Sequence, residues 1–138
     1  MDLQINFWAV LVSAVSAIVI GSVWYGPLFG RKFMALMGFE KLSADEQAAM
    51  KKGMAKTYAL QFLSSVLMLG VLAWLLPALG AASAVGGMKA AFWVWLGFVM
   101  PVQLGQQLWG GKMGLFWLGA GNMLLTLLAA GAILGAWQ

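Results

Sequence analysis

The sequence contains neither cysteine nor histidine. Without cysteine there is no disulfide, no thiolate nucleophile and no sulfur ligand for zinc or an iron–sulfur cluster. Without histidine the commonest general base and the usual imidazole ligand of haem and zinc are missing too. Charge is scarce: Asp, Glu, Lys and Arg make up 9% of the 138 residues, against about 25% in an ordinary soluble domain. What fills the chain is apolar, 63% hydrophobic residues with 18 glycines, 10 methionines and 8 tryptophans. A soluble chain of 14.8 kDa has too little interior to hide that much apolar surface. The apolar residues also run in stretches of about twenty, the length at which a helix crosses a bilayer. The sequence predicts an all-α, polytopic membrane protein, a single transmembrane domain over residues 1–138.

Four runs without charge define the spans: residues 7–25, ended by Gly26-Pro27; 58–79, with Pro77 near its far end; 90–109; and 115–137. Residues 80–87 read as a small-residue turn, and Gly110, Gly111, Lys112 and Gly114 as a second, so the four helices form two hairpins. The first run is expected to stay as an anchor rather than be cleaved as a leader. Asp2 and no basic residue precede it, it is longer than a normal h-region, and Gly26-Pro27 follows in place of a cleavage site. The connection 28–57 holds Arg31, Lys32, Lys41, Lys51, Lys52 and Lys56, the last turn holds Lys112, and only Lys89 stands at the opposite end. The positive-inside rule then puts both basic connections in the cytoplasm and both termini in the periplasm. Trp8, Trp74, Trp93, Trp95 and Trp137 fall at the outer boundary of this map, and Trp24, Tyr25, Tyr58, Trp109 and Trp117 at the inner one, as an interfacial aromatic belt requires.

Apolar burial does not join helices when the solvent is hydrocarbon, so contact faces are sought in small residues and in hydrogen-bonding side chains. Ala9, Ser13, Ala17 and Gly21 recur every fourth residue on the first span and predict a packing ridge; Gly131 and Gly135, beside Ala132 and Ala136, offer a second on the last. Gly97 and Gly105 flank Pro101, which is expected to kink the third span. The polar side chains within the spans are Gln61, Ser64 and Ser65, then Gln103, Gln106 and Gln107, then Asn122 and Thr126, at similar depth in the inner half. They predict interhelical hydrogen bonds, worth about 0.6 kcal/mol a pair, or a small inward-facing cavity for water, a headgroup or a ligand.

In the first connection Phe29, Phe33, Leu36 and Met37 form one apolar stripe after Pro27, which predicts a short amphipathic helix at the membrane surface. Ser43-Ala44-Asp45-Glu46 has the form of a capping box, with Lys51 and Lys52 in the last turn and Gly53 as the stop. Three acids, Glu40, Asp45 and Glu46, dilute the bases here. The remaining positive charge suits the anionic cytoplasmic leaflet as partner, and nucleic acid is not an expected one.

Asn6-Phe7-Trp8 opens the first span and Gly21, then Trp24-Tyr25-Gly26-Pro27-Leu28-Phe29-Gly30 closes it; Met54-Ala55-Lys56 enters the second; Asn122 and the run Gly131-Ala132-Ile133-Leu134-Gly135-Ala136-Trp137 mark the last. On these residues the chain resembles a bacterial inner-membrane family known as domain of unknown function 1761. The resemblance covers nearly the whole chain and implies four spans; it implies no activity.

With the spans at these bounds, none contains Asp, Glu, Lys, Arg, His or Cys. Proton-shuttling enzymes and proton-coupled exporters with a membrane carboxylate are thereby set aside, and no cofactor is expected. The reading is a non-catalytic membrane protein, a structural or accessory subunit that packs as a homo-oligomer or within a larger membrane complex. The alternative is a passive channel or small-solute transporter lined by Gln61, Gln103, Gln106, Asn122 and Thr126.

Overall fold

The computed structural model describes residues 5–138, and Asp2 lies outside them. Helix α1 (Phe7–Val23) is opened by Asn6, whose side-chain oxygen accepts the Ala9 N–H at 3.2 Å. The first crossing does not stop at Gly26-Pro27. It continues through a π-helical turn, Trp24–Leu28, with Pro27 inside. Proline has no N–H and crowds the carbonyl four residues back. The wider turn relieves both, and the Phe29 N–H reaches back five residues to the Trp24 carbonyl at 2.9 Å.

Helix α2 (Gly30–Leu36) therefore begins three residues after Pro27, not at it. Phe29 lies on Trp24 and Phe33 on Tyr25, each pair with ring centroids 4.7 Å apart. Helix α3 (Ala44–Lys52) is capped as its sequence requires, Ser43 Oγ accepting the Glu46 N–H at 3.2 Å, and Gly53 ends it. Helix α4 (Met54–Ala78) follows at once, starting four residues before its uncharged run.

The third span departs further from expectation. Helix α5 (Ala84–Val94), a π-helical turn Trp95–Val99 and helix α6 (Met100–Gly110) form one continuous segment, Ala84–Gly110. Gly86 and Gly87 are helical rather than part of a turn, with Ser83 Oγ accepting the Gly86 N–H at 3.0 Å. Pro101 sits in the first turn of α6, and the break in the α-type ladder falls in the turn before it. Helix α7 (Met113–Ala136) completes the set after Gly111, whose φ of 75° turns the chain. Among the described residues there is no strand, and four segments are long and apolar enough to cross a membrane.

The most enclosed segment is α7. It packs against α5 and α6 within its hairpin and against α1, while α4 lies on α1 and α7. Ala9, Val10 and Ala14 of α1, Leu69, Leu72 and Leu76 of α4, and Leu127, Ala130 and Leu134 of α7 form the core. That core occupies the half of the molecule away from the basic connections. There Asn6 Nδ2 donates to the Trp137 carbonyl at 3.3 Å and Gln138 Nε2 to the Ala81 carbonyl at 2.5 Å.

Candidate functional site

Small residues bring two helices almost into backbone contact. Gly87 of α5 faces Gly131 and Gly135 of α7, and a Cβ on any of the three would overlap backbone atoms of the facing segment. Dispersion is the attraction available between helices in lipid and it fades within an ångström, so glycine here trades helix propensity for proximity. On α1 the ridge is buried at Ala9 and Ser13 and half-buried at Ala17. Gly21 differs: it is half-buried, and a Cβ there would meet nothing within 4 Å, so the close approach seen at Gly87 is not repeated here.

The eight polar side chains expected together occupy separate places. Ser65 and Thr126 are buried. Gln61 and Ser64 are exposed on the outward face of α4. Gln103, Gln106 and Gln107 line a pocket of about 270 Å³ at the basic end, walled by Phe33 and Met37 on one side and by Leu115, Phe116 and Gly119 of α7 on the other. Asn122 is half-buried one turn further along α7. The division follows from packing: α4 lies on α1 and α7, and α6 lies on α7.

Three side-chain oxygens are enclosed without a hydrogen-bond partner among the described residues: Ser13 Oγ, Gln103 Oε1 and Asn122 Oδ1. Gln103 Nε2 lies 3.4 Å, and the Tyr25 hydroxyl 4.0 Å, from the point where Gly119 would carry a Cβ. Both polar ends thus stand beside Gly119 at ordinary contact distance. No Asp, Glu, Lys or Arg lines the pocket, and among the described residues no group of His, Cys, Asp or Glu could hold a metal ion. What the arrangement offers is neutral hydrogen bonding by carboxamides against an aromatic wall.

Of the residues expected in the interfacial belt, Tyr25 and Trp74 are half-buried, and two tryptophans turn inward to bond the protein. The Trp24 indole N–H donates to the Leu118 carbonyl, and the Trp95 indole N–H to the Ala120 carbonyl, both at 2.9 Å. The Trp24 ring also covers Gly121, where a Cβ would come within 2.8 Å of Cζ2. Because the third segment begins at Ala84, Trp95 lies about 9 Å along the helix from Lys89. At that depth an indole needs a protein acceptor. Lys89 in turn lies inside the third helix, exposed and near its end, where a long side chain can reach the headgroups. The belt residues that do face outward are Trp8, Trp93 and Trp137 at one end, and Tyr58, Trp109 and Trp117 at the other. The sequence signal for the inward pair is that each tryptophan opens a π-helical turn shortly before a proline.

A family model described as Protein of unknown function (DUF1761) matches residues 8–135. No curated protein and no solved structure matches the chain.

Proposed function

The chain belongs to the DUF1761 family, and we propose that it serves as a non-catalytic membrane subunit that packs against a second copy of itself, in the inner membrane of a bacterium with its basic end in the cytoplasm. The observation that carries this reading is the uncovered half of α4. Residues 54–61 are all exposed, whereas Leu69, Leu72 and Leu76 further along the same helix are buried.

Within that half Thr57, Gln61 and Ser64 fall at i, i+4 and i+7 and share one face. Thr57 is satisfied locally, its hydroxyl donating to the Gly53 carbonyl at 3.1 Å. The Gln61 amide has no partner among the described residues. A carboxamide facing hydrocarbon is unfavourable, and an identical helix across a two-fold axis would supply a matching donor and acceptor. The outward position of Gln61 and Ser64 favours association over a solute path inside one chain.

Size in mild detergent and cross-linking test the reading. Ser64→Cys should form a disulfide between copies under mild oxidation, and the detergent-extracted species should have at least twice the chain mass. Gln61→Leu should weaken both. A monomeric mass without cross-linked product refutes self-association, and a larger mass made of other chains transfers the face to a foreign partner.

A further inference from the structure

We propose that the pocket at the basic end binds an anionic phospholipid whose headgroup carries hydroxyl groups, of the glycerol-phosphate type. Four observations converge on that chemistry, and they stand whether or not copies of the chain associate.

The first is depth. The pocket lies between α2, the last turns of α6 and the first turns of α7, with α2 packed on α7. Its innermost amide, Gln103, is seven residues from the end of α6 at Gly110, about 10 Å by the helical rise. A headgroup and glycerol backbone occupy that level of a bilayer.

The second is the orphaned amide. Gln103 lines this pocket and its Oε1 is buried without a partner, and a buried acceptor left unpaired is costly. Turning the amide end for end would only exchange an unpaired oxygen for unpaired N–H groups. A hydroxyl both donates and accepts, so it satisfies either orientation. A quaternary ammonium does neither, and an ionised phosphate only accepts.

The third is charge. Arg31 and Lys32 immediately precede Phe33 on α2, and Lys112 immediately precedes α7; Arg31, Lys32 and Lys112 are all exposed. No acid lines the pocket. Cations on the segments that carry the pocket favour a phosphate beside a neutral, hydroxyl-bearing tip.

The fourth is the wall. Phe33, Met37 and Phe116 present apolar surface beside the amides, suited to the glycerol backbone and the first methylenes of the acyl chains. A free glycerol phosphate shares the polar chemistry but has nothing to set against that surface, so the lipid is the occupant.

The test uses the full chain purified in a maltoside detergent, with bound lipid read by native mass spectrometry after titration with phosphatidylglycerol, phosphatidic acid, phosphatidylcholine or soluble glycerol 3-phosphate. Phosphatidylglycerol should be retained about tenfold better than phosphatidylcholine, and Gln103→Leu should remove about tenfold of its affinity, the worth of one well-placed buried hydrogen bond. Lys112→Gln should weaken phosphatidylglycerol and phosphatidic acid alike. If Gln103→Leu fails to give a folded helical protein, Gln107→Leu is read in its place with the same expectation. Equal retention of phosphatidylcholine overturns the charge argument, and equal retention of phosphatidic acid overturns the hydroxyl argument. Competition by soluble glycerol 3-phosphate at comparable concentration overturns the lipid assignment. Unchanged binding in the glutamine variants overturns the site itself.

Discussion

Replacing Gly87 by alanine adds one carbon at the crossing of α5 and α7. On the present backbone that carbon would stand 2.8 Å from the Gly131 carbonyl carbon, closer still to its oxygen, and 3.1 Å from the Gly135 Cα, where ordinary contact begins at 3.4 Å. The obstructing atoms are backbone, so no side-chain rotation clears them and the helices must part by roughly an ångström. Parting loosens Ala91, Ala130 and Leu134 together, and dispersion contacts of that kind are what hold helices in lipid. Overpacking of this sort costs about 1–3 kcal/mol, while alanine recovers about 1 kcal/mol as the better helix former. Because the overlap is with backbone, the upper part of the overpacking range applies, about 2–3 kcal/mol, and the expected net loss is about 1–2 kcal/mol. Gly70→Ala on α4 supplies the control, because a Cβ there would meet nothing within 4 Å. It should stabilise by about 0.5–1 kcal/mol. The assay is equilibrium unfolding in mixed micelles of rising dodecyl sulfate fraction, followed by circular dichroism. The decisive quantity is the opposite sign of the two shifts. If Gly87→Ala stabilises as much as Gly70→Ala, the close crossing is refuted.

Trp24→Phe and Trp95→Phe should each destabilise by about 1 kcal/mol, because each keeps a ring and loses one indole bond; unfolding in the same micelles measures this, and neutral variants would refute the inward placement. Leu118 and Ala120 stand two positions apart on α7, about 200° apart round its axis, so the double variant should lose about the sum, within roughly 0.5 kcal/mol. The orientation is checked with Lys51→Cys, which should react with an impermeant maleimide only after cells are opened. Labelling of intact cells would invert the map.

Much of the architecture could be read from the chain because each crossing needs about twenty residues without charge, and the sequence meets that condition four times. The Ser43 cap and the Gly53 stop were equally readable, since both depend on neighbours within a few residues. The start of the third span was not. Residues 80–87 are rich in glycine and alanine, which in water marks a turn, whereas in lipid a helix accepts glycine wherever a neighbouring backbone comes close, as at Gly87. That difference of a few residues moves Trp95 from the belt to the interior. The direction of the polar side chains was not readable, because lateral neighbours are a property of the assembled bundle. Gln61 is exposed on α4, whereas Gln103 lines a pocket between α6 and α7.

The π-helical turn before Pro101 explains how Gln103 comes to face inward at all. Gly87 and Ala91 set the side of α5 that meets α7. On an uninterrupted helix that side continues through residues 94, 98 and 102. Phe98 and Val102 are apolar and would serve such a face, yet they are 75% and 59% exposed. A π-helical turn carries one extra residue and rotates everything after it by about 100°. The inward positions become Val99, which packs against the core, and Gln103, which reaches Gly119. A proline that forbids the regular ladder thus sends two large apolar side chains out to lipid and brings a carboxamide into the protein. The polarity of the pocket is a consequence of register, set four residues upstream of the lowest amide that lines it.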